Sequence, residues 1–199
     1  YAFYYPYPDY KFPTTIYSDE YMPKKGELSN NLRNFDRDRV LLFDEKQVFD
    51  QVIEEGEFPL FSNSYLLLIG KKPQTVYAKF SNDRAKAWAI RTLIHKSAAG
   101  TFLVEKQPND KEANAHIVHT YQAYEALSKR YEGTKIQMNE CKRTPQSIVF
   151  PFCQGRTLEE LLDERLDEQD AEGFRKLIEE YMHWLSYNED ANISNIDFI

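Results

Sequence analysis

His116 and His119 lie about one turn apart in NAHIVHTYQAYEALSKRYEG, a spacing at which two imidazoles on one helix could hold a metal ion. A metal centre needs a third ligand, and without one the pair reads as surface and interface histidines. Cys141 and Cys153 have neither metal-ligand spacing nor the density of a disulfide scaffold, so both read as buried thiols in a reducing, cytoplasmic compartment. No G-x-S-x-G, H-E-x-x-H or Walker A sequence occurs. Two residues then stand out by position. Lys106 closes the strand-like LVEKQ, where its plainest role is that of a solvated cation. Glu112, three residues after Asn109 in NDKE, fits a helix capping box.

The elements that would position these groups must come from 199 residues, 42% of them apolar, enough for one ordinary domain or two small ones. Lys+Arg 25 against Asp+Glu 32 gives a net charge of −7, so nucleic acid and anionic lipid are not expected partners. The longest apolar run, SYLLLIG, is too short to span a membrane, and no signal peptide opens the chain. The first residue is Tyr1 and the last residues are IDFI, from which the chain is expected to be a fragment of a longer protein.

Tyr- and Pro-rich YAFYYPYPDYKFP favours extended backbone and predicts a strand that becomes an irregular arm. LFDEKQVFDQVIEEG places Phe43, Val48, Phe49, Val52 and Ile53 near helical spacing with Gly56 as its cap, and FSNSYLLLIG reads as a buried strand. TVYAKFS and WAIRTLI form a hairpin around NDRAKA, and TFLVEKQ is a third strand. The next helix carries Ala113, Ile117, Tyr121, Tyr124, Leu127 and Tyr131 on one side and stops at Gly133. TKIQMNEC (134 to 141) and SIVFPF (147 to 152) are expected strands, and TLEELLDERL and AEGFRKLIEEYMHWLSY helices. The acidic run LEELLDERLDEQDAEG reads as a solvated face.

In this order, residues 72–199 resemble the small lobe of the protein-kinase-like superfamily followed by the first helices of its large lobe, most closely the bacterial branch similar to lipopolysaccharide and small-molecule kinases. The expected fold is α+β: a five-stranded antiparallel sheet with one long helix, then two helices, after an N-terminal β-α-β segment. The implied division is 1–71, 72–152 and 153–199. The resemblance implies that Lys106 binds the ATP phosphates, with Lys79 a weaker competitor, and that Glu112 or Glu125 pairs with it. It implies a hinge at Pro151, Phe152 and Cys153 whose backbone meets the adenine edge, with Gly155 turning the chain into the next helix. In NISNIDFI it makes Asp197 the catalytic base, although the usual His is absent and the Mg-binding Asn would fall past Ile199. There is no D-F-G equivalent. The first hairpin has no glycine, leaving Ser81, Asn82 and Arg84 as substitutes for backbone amides at the phosphates.

Residues 1–71 resemble the C-terminal strands of a class I S-adenosylmethionine-dependent methyltransferase, an antiparallel pair around a helix. That family's Gly-rich cofactor turn is not in this chain, so no S-adenosylmethionine site is implied here. Together the two resemblances imply part of a bacterial methyltransferase/kinase-like protein of cell-surface polysaccharide or lipopolysaccharide assembly, with a sugar or glycolipid acceptor, that binds nucleotide but is not catalytic alone. The rival expectation is a non-catalytic scaffold or interaction module. If residues 1–70 are the tail of another domain, Tyr4, Tyr5, Phe12, Phe58 and Phe61 have lost part of their partner surface and are expected to form an exposed patch, or a homo-oligomer through it.

Overall fold

The computed structural model describes residues 1–28 and 45–186. The chain divides into two compact units, Tyr1–Ile117 with Lys142–Phe150, and Val118–Cys141 with Pro151–Ile199. It is mixed α+β, and its strands form one open antiparallel sheet.

The first unit is built on that sheet. β1 (Ala2–Tyr7), β2 (Thr15–Ser18), β3 (Leu66–Leu68), β4 (Thr75–Phe80), β5 (Ile90–Lys96), β6 (Phe102–Pro108), β7 (Lys142–Arg143) and β8 (Ile148–Pro151) lie in the order β3-β1-β2-β4-β5-β6-β8-β7. The expected five-stranded layout is not what forms: four of its strands, β4, β5, β6 and β8, are part of an eight-stranded sheet. The reason is local. The arm after β1 does not wander: the Asp9 carboxylate accepts the Lys11 and Phe12 N–H groups at 2.7 and 3.2 Å, a turn that returns TIYS as β2. β2 then pairs with β4 through Thr15 opposite Lys79 and Ile16 opposite Ala78, continuing the sheet across residue 71.

Between β1 and β3 lie α1 (Glu45–Glu54) and the short α2 (Phe58–Phe61). Gly56, at φ +75°, closes α1 as expected: its N–H reaches the Ile53 carbonyl, and the Glu57 N–H reaches Val52. Val52 and Phe58 pack with Tyr5, Tyr7, Tyr17 and Leu28 in one buried cluster. Phe58 meets Tyr5 and Tyr17 edge to face, at 5.9 and 5.7 Å between centroids. The Tyr7 hydroxyl donates to the Leu28 carbonyl, so this tyrosine's polar end is satisfied inside the core. Of the five aromatics expected in a surface patch, Tyr4, Tyr5 and Phe58 are buried, and Phe12 and Phe61 are exposed.

Two expected strands change. FSNSYLLLIG is not a buried strand: only Leu66–Leu68 form a strand, and all three are exposed, because among the described residues β3 pairs with β1 alone at the end of the sheet. TKIQMNEC is not a strand at all. The Thr134 hydroxyl donates to the Tyr131 carbonyl and accepts the Ile136 N–H, a local turn that competes with pairing, and the ladder begins only at Lys142.

Glu20 carries an ion network on this unit, contacting both Lys72 and Lys96. Hydrogen bonds from Lys72 and Lys96 lower the Glu20 carboxyl from 4.5 to about 2. Because its folded value is depressed, the stability it contributes is present above pH 4.5 and is lost as the pH falls towards 2. Urea midpoints of wild type and Glu20→Gln are therefore expected to differ at pH 6 and to converge at pH 2. A constant difference across that window would show that the network does not stabilise the fold.

α3 (Asn114–Arg130) crosses from the first unit to the second, with Ala113 and Ile117 buried in the first and Leu127 and Tyr131 in the second. Gly133, at φ +76°, follows its end as expected. In the second unit, α4 (Leu158–Asp167) opens on a capping box between Thr157 and Glu160, and α5 (Ala171–Leu185) on the Asp170 carboxylate, which accepts the Gly173 N–H. α4 and α5 pack on each other, yet neither holds a buried residue.

Candidate functional site

Lys106 lies in β6 opposite Thr92 of β5, half-buried, with its ammonium 5.7 Å from the centre of the Phe150 ring on β8. An ammonium over an aromatic face is attracted by the ring's quadrupole, so Phe150 helps hold the long stem in one direction. Lys79 is exposed on β4. In the same unit Glu112 is exposed, in a 3-10 turn ahead of α3. Its cap is Asp110, whose carboxylate accepts the Glu112 N–H at 2.8 Å. The expected box on Asn109 does not form there because the Asn109 N–H continues the β5–β6 ladder to the Ala89 carbonyl.

The glycine-free hairpin between β4 and β5 ends in a built turn. The Ser81 N–H bonds the Ile90 carbonyl, and the Asn82 side-chain amide donates to the Pro13 carbonyl at 2.9 Å. Of the three proposed substitutes for phosphate-binding amides, Asn82 is thus engaged in holding the loop to the arm before β2. His116 stacks edge to face with Trp88 at 5.1 Å, while His119 is exposed.

Glu125 belongs to the second unit, where it is exposed on α3 beside Tyr121. The Glu125 charge, with burial and other neighbours, raises the Tyr121 hydroxyl above its ordinary value. Phe152 and Cys153 follow β8 in the extended crossing; Phe152 is half-buried and Cys153 exposed, whereas Cys141 is buried. Cys153 thus departs from the expectation of two buried thiols: it lies in the extended crossing just past the end of β8 at Pro151. The Pro151 carbonyl accepts from the Asn139 side-chain amide at 3.0 Å. Asp197 lies outside the described residues. The two units thus hold the expected residues in separate sets: Lys106 and Glu112 in the first, Glu125, Phe152 and Cys153 in the second.

Sequence reasoning missed two arrangements. On the sheet, Thr75 Oγ1 lies 3.0 Å from His95 Nδ1, and His95 Nε2 lies 3.0 Å from Glu105 Oε2. Burial works to raise the Glu105 carboxyl, but hydrogen bonds from Gln107, Ser147 and His95 prevail and hold it below its usual range. This row ties three strands, β4, β5 and β6, through side chains, with Ser147 just ahead of β8; its signal was the alternation in LVEKQ, which sends Glu105 and Lys106 to opposite faces. In the second unit, Ile136, Leu158, Leu161, Leu177, Tyr181 and Trp184 line an open cleft of about 360 Å³ rimmed by Lys135, Arg156 and Glu180. Arg156 grips Glu164 with two bonds of 3.0 and 2.8 Å, and Arg156 and Arg165 together hold that carboxyl at about 2.

Among the described residues no three His, Cys, Asp or Glu side chains are grouped so as to hold a metal ion, and no helix is long and apolar enough to cross a membrane. The fold and these sites define a mixed α+β chain whose sheet carries a half-buried lysine, Lys106, beside the Phe150 ring. Comparison with protein-family models, curated proteins and solved structures finds no match.

Proposed function

We propose that the chain comprises the small lobe and the start of the large lobe of a kinase-like domain, preceded by the end of a methyltransferase-like one, in a bacterial protein that builds cell-surface polysaccharide or lipopolysaccharide. The observation that carries this reading is the run of elements from β4 to α5: three strands paired antiparallel, a 17-residue helix, a tight hairpin, an extended crossing and two helices. Lys106 stands on the third of these strands with its direction set by Phe150, as a phosphate-binding cation requires. The antiparallel pairing of β1 with β3 around α1 and α2 supports the methyltransferase part. The sugar or glycolipid acceptor rests on the resemblance alone.

On this reading Lys106 meets the phosphates of ATP, Glu112 or Glu125 orients that lysine, and the backbone of Phe152 and Cys153 meets the adenine. Asp197 is the base in the parent protein. The ATP phosphates bring Mg with them, and the residues proposed to bind it are not among those described. The 199-residue chain binds nucleotide and does not turn it over, since phosphoryl transfer depends on metal ions that neutralise the developing charge. A second reading, a non-catalytic scaffold, is favoured by the glycine-free hairpin tip, where Asn82 is bonded to Pro13.

Calorimetric titration with ATP separates the two. Weak binding is expected, weakened a further ~10-fold or more by Lys106→Ala, the scale of one lost charge-assisted phosphate contact, and unchanged by Lys79→Ala. No heat at millimolar ATP, or equal binding by Lys106→Ala, would favour the scaffold.

A further inference from the structure

The polar row on the sheet holds a hydroxyl, an imidazole and a carboxylate in line, with Thr75 Oγ1 3.0 Å from His95 Nδ1 and His95 Nε2 3.0 Å from Glu105 Oε2. A nucleophile within reach of a base, and that base oriented by a third group, is the arrangement nucleophilic catalysis needs. Glu105 is held ionised against its burial by hydrogen bonds from Gln107, Ser147 and His95. An ionised carboxylate only accepts, so the proton of the neutral imidazole sits on Nε2. That leaves Nδ1 to accept from the Thr75 hydroxyl.

A backbone irregularity puts the hydroxyl there. Tyr77 lies opposite Ile94, and in a regular ladder Thr75, two residues back, would lie opposite Lys96 and on the same face as Tyr77. A bulge between Thr75 and Tyr77 pairs Thr75 with His95 instead and carries its side chain to the other face, as bulges beside active sites do. The Tyr4 hydroxyl of β1 donates to the Thr75 carbonyl at 2.6 Å and fixes this backbone from a third strand. The row is open to solvent: the His95 and Glu105 side chains keep 23 and 20% exposure, and Leu103, opposite His95 on β6, is 40% exposed.

We propose that this row is an esterase site for carboxylic esters of short acyl groups, with Thr75 as nucleophile, His95 as general base and Glu105 as the residue that positions the imidazole. Thr75 Oγ1 attacks the ester carbonyl carbon as its proton passes to His95 Nδ1. The bond from that carbon to the alkoxy oxygen breaks, and the leaving group takes the proton from Nδ1 and departs as the alcohol. Water then gives a proton to Nδ1 and attacks the acyl carbon; the carboxylic acid leaves and Thr75 recovers a proton from Nδ1. The Nε2 proton stays between His95 and Glu105 throughout. The methyl group on the Thr75 β-carbon crowds the attacking oxygen, which favours a short acyl group, and an alkoxide is expelled more readily than an amine, which favours an ester over an amide. The proposal is independent of nucleotide binding, since Lys106 points to the opposite face of the sheet from Glu105.

The whole chain is expected to hydrolyse p-nitrophenyl acetate above the buffer rate, and mass spectrometry after an acid quench is expected to find an acetyl group on Thr75. Thr75→Val, which exchanges the hydroxyl for a methyl of like size, and His95→Gln are each expected to lower kcat at least ~100-fold, the scale of a lost nucleophile or general base. Thr75→Ser keeps the hydroxyl and is expected to keep turnover. Glu105→Gln acts through His95 and is expected to lower kcat while leaving KM unchanged, a split that a purely structural role would not produce. Hydrolysis no faster than buffer, acetylation of lysines with Thr75 unmodified, or undiminished turnover by Thr75→Val overturns the proposal and leaves the row as a tie between strands. An unchanged kcat in Glu105→Gln overturns the part given to Glu105. Should Thr75→Val fail to fold, the position of the acetyl group in the wild type decides.

Discussion

Phe58→Ala is expected to cost the fold ~3–5 kcal/mol, the usual range for removing a buried phenyl ring from a packed core. Phe58 is 2% exposed and fills the space between Tyr5 of β1 and Tyr17 of β2, so its loss removes both edge-to-face contacts and leaves a cavity beneath α2. Phe61→Ala, one turn on and 59% exposed, is the control, with an expected change within ~0.5 kcal/mol. Urea unfolding followed by near-ultraviolet circular dichroism measures both. A Phe58→Ala midpoint indistinguishable from that of Phe61→Ala would mean that the aromatic cluster is not a stabilising core.

Ile148→Ala is the second large effect, expected at ~2–5 kcal/mol, with Ile148→Val at ~0.5–1.5 kcal/mol. Ile148 is fully buried where β8 enters the sheet, opposite Arg143 and next to Ser147, whose N–H and hydroxyl are both bonded to Thr144. Four strand steps separate β2 from β8, about 19 Å at the usual spacing, so the costs of Phe58→Ala and Ile148→Ala are expected to add. Since β2 is bonded to β4, both variants should also unfold the sheet in a single transition. Separate transitions for the two ends would show that residues 1–71 fold apart from the strands that follow.

Much of the secondary structure was legible because it depends on neighbours in sequence. The helix through Ile117 and Leu127 shows its period, and Gly56 and Gly133 mark positive φ. β4, β5 and β6 were legible for the same reason, as β-rich runs separated by turns. Lys106 could be placed at the end of its strand, but not beneath Phe150, which is brought to it only by the pairing of distant strands.

Composition and local pattern by themselves determined the net charge, the helices after residue 113 and the α+β class. The tertiary structure alone decided that eight strands join in one sheet, because a hydrogen bond between β2 and β4 leaves no trace in either segment's own periodicity. It also decided that Leu66–Leu68 face outwards. A short apolar run reads as buried whichever side it faces, and exposure depends on whether another strand lies beyond it. TKIQMNEC failed in the opposite sense: its pattern suits a strand, yet a threonine turn at its start and the lack of a partner before Lys142 leave it a loop. Strands need partners that the local sequence does not name, whereas helices satisfy their own backbone, and that difference set which parts of this protein could be read in advance.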